Sequence, residues 1–293
     1  MIRKPENKVN VQKIAKQGDM RQVLTLYFSG TGNTEYIAKL FSKHMCAECL
    51  SIEDDADFVT VINNHDIIVF CYPIYASRVP RNMREFVEKH MNEISGKKIV
   101  ILVTQVLFSG DGARVFTDMF QENTVEVIYA EHIKMPNNVG TIPFLRPPSE
   151  KLLQKTFNNA EALVERICKD IKCGIVRKRG FSWFSKVLGS IQGQVWYGNS
   201  KKIAPRSFSG EAKSRNGVRI HKDCNACGVC VTICPMKNFA DEHGRIIPKG
   251  TCIVCYRCVN RCPTRAITVM TIRLRPKWQY TCARQGDGSS VFR

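Results

Sequence analysis

The chain has 293 residues with 44 Lys and Arg against 26 Asp and Glu, a formal net charge of +18. That length fits two domains and a connector, and no apolar run is long enough to span a bilayer. The start, Met1-Ile2-Arg3-Lys4-Pro5, lacks the apolar core of a secretory signal, and 14 cysteines in so long a chain argue against a secreted disulfide scaffold.

Residues 1–19 are polar and basic and are expected to form an arm, either added to a natural start at Met20 or part of the chain proper. Gln22 to Phe28 reads as a buried strand. It runs into Ser29-Gly30-Thr31-Gly32-Asn33-Thr34, and Glu35 to Phe41 then shows apolar residues at helical spacing. Strand, short hydroxyl- and glycine-rich loop, then helix is a cradle for phosphate. Backbone N–H groups and the helix dipole face the anion, and hydroxyls add donors. The loop has no lysine, so this is not the nucleoside-triphosphate loop, and the three-glycine dinucleotide spacing is absent.

Three further strands are expected at His65–Cys71, Lys97–Thr104 and Val125–Ala130, with helices at Met83–Met91 and Ala113–Phe120 between them. Alternating strands and helices imply a doubly wound parallel α/β sheet, whose ligands sit beyond the carboxyl ends of the strands. The loops at Pro73-Ile74-Tyr75 and Phe108-Ser109-Gly110 fall at that edge with the phosphate loop. Residues 148–172 read as an amphipathic helix that completes the layer. Cys46 and Cys49 form a Cys-x2-Cys, read either as a redox pair or, in preference, as buried or half-buried thiols. His44, His65, His90, His132, His221 and His243 are scattered, and none is read as a catalyst.

Residues 174–222 carry eleven basic side chains against one acidic. Arg177-Lys178-Arg179 precedes an aromatic stretch with Phe181, Trp183, Phe184, Val187, Leu188, Ile191, Val195, Trp196 and Tyr197. Packing of the two domains is the first reading of this connector. An acidic redox partner such as a ferredoxin is the second, and peripheral membrane contact the third. No base-reading module accompanies it, so nucleic acid is not expected.

Two copies of one cysteine pattern follow. They are Cys224-x2-Cys227-x2-Cys230-x3-Cys234-Pro235 and Cys252-x2-Cys255-x2-Cys258-x3-Cys262-Pro263. This is the ligand run of bacterial two-cluster ferredoxins. A tight loop presents three thiolates to a 4Fe–4S cubane, so the fourth comes from elsewhere. In this arrangement cluster 1 takes Cys224, Cys227, Cys230 and Cys262, and cluster 2 takes Cys252, Cys255, Cys258 and Cys234. A single-zinc knuckle does not need three cysteines in seven residues. From Thr271 the chain shows no pattern and reads as a loose tail.

The first half resembles flavodoxin and the second a two-cluster ferredoxin, and the whole resembles the flavodoxin–ferredoxin fusion proteins of anaerobes. The resemblance implies five segments: an arm at 1–19, an FMN-binding domain at 20–173, a connector at 174–215, a small α+β ferredoxin domain at 216–272 and a tail at 273–293. It implies FMN at Ser29 to Thr34, with Pro73, Ile74 and Tyr75 on one face of the flavin ring and Phe108, Ser109 and Gly110 on the other. Tyr75 is the expected stacking residue. It implies a cytoplasmic electron carrier or oxidoreductase passing electrons between two 4Fe–4S clusters, FMN and a redox protein. Two other readings stay open: a flavin-dependent reductase of a small molecule, and a docking module whose first domain has lost FMN.

Overall fold

The computed structural model describes residues 23–75, 78–106, 111–122, 124–139, 149–189, 217–269, 279–282 and 291–292. Sequence expectations at 1–22, at Phe108, Ser109 and Gly110, at Ile191, Val195, Trp196 and Tyr197, and over most of the tail lie outside them.

The first half is a parallel sheet between two layers of helices. Its strands are β1 (Val23–Tyr27), β2 (Glu48–Ser51), β3 (Ile67–Pro73), β4 (Lys98–Gln105), β5 (Glu126–Lys134) and β6 (Arg177–Lys178), in the order β2-β1-β3-β4-β5-β6. All five pairings are parallel. The strands are apolar on both faces because both are covered. Leu24, Leu26, Phe70, Ile99 and Ile101 enter one core with Phe58, Met83, Phe86 and Phe116. Val23, Val69, Val100, Leu102 and Tyr129 enter the other with Ile37, Phe41, Phe157, Val164 and Ile167. The first core lies under α2 (Phe58–Asn63), α3 (Arg81–Lys89), α4 (Met91–Ile94) and α5 (Gly112–Thr117). The second lies under α1 (Asn33–Met45) and α6 (Glu150–Lys172).

The expected strands and helices are present within a few residues of their forecast bounds. β2 and α2 were not foreseen as elements: β2 has four residues, one of them buried, and α2 has six. Such short pieces carry little periodicity. The chain order reverses between β1 and β3, which opens the crevice at their carboxyl ends.

The basic start of the connector is structural. Arg177 and Lys178 form the edge strand β6, where Arg177 Nε meets Asp170 at 2.9 Å and Arg179 meets Glu131 at 3.0 Å. Glu131 and Asp170 are buried, and these arginines compensate them together with Arg166 on Glu131 and the Tyr129 hydroxyl on Asp170. Beyond them, residues 183–189 are helical, and Trp183 is 77% exposed and Phe184 65%. These two side chains therefore do not pack the domains together, contrary to the first reading of the aromatic stretch. Cys46 stands exposed at the end of α1 and Cys49 is half-buried in β2, so burial describes only the second.

The second half has its own small core of Val218, Phe239, Ile246, Tyr256, Val259, Ile267 and Val269 with Cys230, Cys258 and Cys262. β7 (Val218–Ile220) pairs antiparallel with β10 (Ile267–Val269), and β8 (Phe239–Glu242) with β9 (Arg245–Pro248). The β8–β9 turn uses His243 and Gly244, both at positive φ, as a two-residue hairpin loop of matching twist requires. Among the described residues no helix is long and apolar enough to cross a membrane.

One buried histidine positions the start of α5. His132 Nε2 accepts the Ala113 N–H at 3.2 Å, so the ring is neutral at that nitrogen. Burial, reinforced by Arg179, pushes its pKa down to about 4. The unfolded chain takes up this proton first, so the stability that His132 contributes is complete above about pH 6.5 and is lost as pH falls toward 4. Between pH 7 and pH 4.5 the loss is about 2.5 kcal/mol. His132→Gln keeps an acceptor that does not titrate. Urea unfolding at the two pH values is expected to show that much less acid sensitivity in the variant than in the parent.

Candidate cofactor sites at the domain junction

The phosphate loop follows β1 at the sheet crevice. Gly32 caps α1 with φ 98°, a conformation that glycine adopts without strain, and no side chain caps the helix. The first N–H groups of α1 therefore have no intrahelical or capping acceptor and face the loop. Ser29 Oγ accepts the Gly32 N–H at 3.0 Å and closes the turn. Thr34 Oγ1 lies 2.7 Å from Thr104 Oγ1 on β4, tying the helix start to a second strand. Asn33 donates to Pro136 O at 2.8 Å and accepts from Tyr280 OH at 2.5 Å. These contacts redistribute the roles expected of the loop. Ser29, Asn33 and Thr34 hold its shape. Thr31 is 3% exposed, and its hydroxyl has no partner among the described residues. Unpaired backbone donors, one free hydroxyl and a helix N-terminus in a sheet crevice fit a phosphomonoester such as that of FMN.

The Pro73-Ile74-Tyr75 loop leaves β3 beside it. Ile74 N–H donates to Thr104 O at 2.9 Å, and Tyr75 pairs with Arg78 through two backbone hydrogen bonds. The Tyr75 ring packs against the first core, and its hydroxyl reaches toward Gly30 and Cys255. Burial, added to the charge of Cys255, raises its phenol pKa well above the ordinary value, so the ring stays neutral.

The cysteines gather as two crossed sets. Cys224, Cys227, Cys230 and Cys262 line one small cavity, closed by Ile246, Pro263 and Ile267. Cys258 feels the charges of Cys255, Cys252 and Cys234 most strongly, and Cys252 feels that of Cys234. Near each set of three thiols thus lies the fourth cysteine of the other motif. Among the described residues no three His, Cys, Asp or Glu side chains converge on a single ion. The four thiols of the first set line a cavity, an arrangement that suits a cubane.

The loops repeat each other in backbone detail. Ala226 and Val254, Gly228 and Tyr256, and Lys237 and Arg265 all have positive φ, each pair separated by the interval that separates Cys224 from Cys252. Five of these six are not glycine, so the curl that turns three thiols inward is adopted at a steric cost, of order 1–3 kcal/mol per residue. Burial pushes the thiols of Cys230 and Cys252 up to about 11 and that of Cys255 up to about 12. As free thiols they hold their protons at neutral pH, so deprotonation has to accompany metal binding.

The two sites touch. Arg257, in the Cys255-x2-Cys258 gap, donates to Ser29 O at 2.6 Å, Gly30 O at 3.2 Å and Ile233 O at 2.9 Å. The same guanidinium grips Glu53 through two bonds of 2.9 and 2.6 Å. A Cβ placed on Gly30 would stand 2.6 Å from Cys255 O and 2.8 Å from Tyr75 OH, so only glycine lets the two loops approach this closely. Arg81 adds a bond to Thr251 O at 2.5 Å, and Ile253 and Cys255 join the first core of the flavodoxin-like half.

A segment read from the sequence as loose tail is ordered here. Tyr280 is 3% exposed in the second core, and its N–H donates to Asn260 Oδ1 at 2.7 Å. Cys282 N–H donates to Thr31 O at 2.7 Å, and Gln279 donates to Val259 O and Cys262 O. Residues 279–282 therefore strap the second cysteine motif to the phosphate loop. Neither the strap nor Arg257 and Glu53 had been singled out in the sequence. An arginine between two ligand cysteines was the one available signal.

Two family models match the chain: a flavodoxin domain over residues 24–137 and a 4Fe-4S dicluster domain over residues 216–267. Two-electron reduced flavodoxin of Megasphaera elsdenii is 20% identical, with 50% of this chain and 98% of that one covered and a TM-score of 0.37. Oxidised flavodoxin 2 of Bacillus cereus is 20% identical over 50% of this chain and 99% of that one, with a TM-score of 0.34. Rubredoxin oxygen:oxidoreductase of the anaerobe Desulfovibrio gigas is 12% identical over 53% of this chain and 37% of that one, with a TM-score of 0.36. No curated protein matches the chain. The chain is a flavodoxin–ferredoxin fusion, an electron-transfer protein whose cofactors are FMN and 4Fe–4S clusters.

Thr31→Val removes the free hydroxyl without touching the bonds that shape the loop. FMN affinity, read by flavin fluorescence on titration into apoprotein, is expected to fall roughly ten- to a hundredfold, as for a lost hydrogen bond to a charged group, with unfolding unchanged. Thr34→Val is expected to lower stability as well, since it breaks the link to Thr104.

Proposed function

We propose that the chain relays single electrons between FMN and a redox protein by way of its two clusters, with the cluster of Cys252, Cys255, Cys258 and Cys234 standing next to the flavin. A 4Fe–4S cluster supplies one electron at a time and FMN accepts one or two, so the pair links one-electron carriers to two-electron chemistry. The observation that carries the reading is the contact of the Cys255 loop with the phosphate loop at Gly30, fastened by Arg257. In this role Arg257 and the 279–282 strap set the spacing of the centres. Thr31 and the start of α1 hold the phosphate, and Tyr75 walls the gap between the sites.

The partner in this reading is an acidic redox protein. Trp183, Phe184 and Val187 are exposed on the 183–189 helix, which sits in the most basic stretch of the chain. Exposed aromatics rimmed by positive charge suit an acidic surface, which would steer the encounter and be sensitive to salt.

The test is a count of electrons and iron. Anaerobic protein is expected to hold about eight iron and eight sulfide, and to take up about four electrons, one per cluster and two at FMN. Cys262→Ser is expected to disturb the cluster held by Cys224, Cys227 and Cys230 while the Cys252 cluster keeps its spectrum. A variant that disturbs only the Cys252 cluster overturns the crossed ligation. A flavin that takes no electrons from reduced clusters overturns the relay.

A further inference from the structure

Among the differences between the two cysteine motifs, one falls where both make the same hydrogen bond to a ligand sulfur. Four residues after the fourth cysteine, the backbone N–H donates to that cysteine's sulfur in both motifs. Asn238 N–H meets Cys234 Sγ at 3.3 Å, and Ala266 N–H meets Cys262 Sγ at 3.3 Å. Alanine offers nothing further, whereas asparagine carries an amide.

That amide is fully buried, with Asn238 at 0% exposure. Its orientation is fixed because Oδ1 accepts the Thr251 N–H at 2.6 Å, an interaction that the flipped amide could not make. Thr251 in turn donates its hydroxyl to Met236 O at 2.8 Å and directly precedes Cys252. The side chain is thus held between Cys234 and Cys252, two cysteines of one set. Its Nδ2 has no hydrogen-bond partner among the described residues. A buried NH2 group left unpaired is costly, so such groups are rarely left without an acceptor. The acceptors that the completed site brings to this place are thiolate and sulfide sulfurs.

We propose that Asn238 donates a side-chain hydrogen bond to the cluster held by Cys252, Cys255, Cys258 and Cys234, and so raises the reduction potential of that cluster. Reduction adds negative charge to the sulfurs, and a donor stabilises the reduced form more than the oxidised one. The cluster held by Cys224, Cys227, Cys230 and Cys262 has no such donor at the matching position, Ala266. The added amide favours collection of the electron on the cluster beside the phosphate loop. Asn238 is a positioning and tuning residue, not a ligand. The inference rests on the reading that these cysteines hold a cluster.

The test uses the full chain with its cofactors, and iron and sulfide are counted first. Fewer than two clusters in the parent protein would remove the reading on which the inference rests. With two present, Asn238→Ala is compared with the parent by redox titration followed by electron paramagnetic resonance. Alanine already occupies the matching place at 266, so the loop tolerates it. One cluster's reduction equilibrium is expected to fall about three- to tenfold, the tenfold end being about 59 mV for one electron, while the other stays put. Two unchanged potentials, or two equal shifts, overturn the inference and leave the clusters standing. Should Asn238→Ala not assemble both clusters, the parent decides the matter. With asparagine labelled by 15N at the side-chain amide only, hyperfine coupling of that nitrogen to a reduced cluster is expected, and its absence overturns the inference.

Discussion

The junction between the halves depends on how one guanidinium is held. Arg257 spends its donors on three backbone carbonyls and one carboxylate, and the carbonyls belong to both halves of the chain. Two of them, from Ser29 and Gly30, are part of the phosphate loop, so a residue between two cysteines of the second motif also sets the outer wall of the cradle. The planar fork can satisfy Glu53 bidentately while reaching these carbonyls, which the compact ammonium of a lysine could not do.

Close approach then propagates in two directions. Gly30 has to lack a side chain because Cys255 O and Tyr75 OH fill the space where one would sit. Gly32 has to be glycine twice over: its φ is 98°, and a Cβ there would stand 2.9 Å from Cys282. The loop is thus pressed from one side by the cluster domain and from the other by the strap. Its interior is left to the backbone N–H groups and Thr31. A small domain whose loops carry six non-glycine residues at positive φ gains from such bracing, since its own core is limited and its clusters supply much of its order.

Much of this was legible in the sequence. The cysteine spacing identified both clusters, and the run from Gln22 to Phe41 identified the first strand, the cradle and the helix. The strands' alternation with helices forecast the parallel sheet. What escaped shares a physical cause: it depends on which distant segments meet. Arg257 reads as a surface base until Glu53 and Ser29 are beside it. Tyr280 and Cys282 carry no periodicity, because a two-residue strand leaves none. Arg177 and Arg179 look like part of a basic patch until β6 brings them onto Asp170 and Glu131. Asn238 is visible in the sequence only as a polar residue where the other motif has alanine. Its meaning comes from complete burial.

The central claim is that the flavin and cluster sites form one fixed unit within a chain. The rate at which reduced clusters pass electrons to FMN, followed by stopped-flow absorbance over a wide range of protein concentration, tests it most directly. The account predicts a first-order rate constant independent of concentration, and a lower one in Glu53→Arg, where Arg257 faces a like charge. A rate that rises in proportion to protein concentration would show that electrons cross between molecules, and would contradict the account.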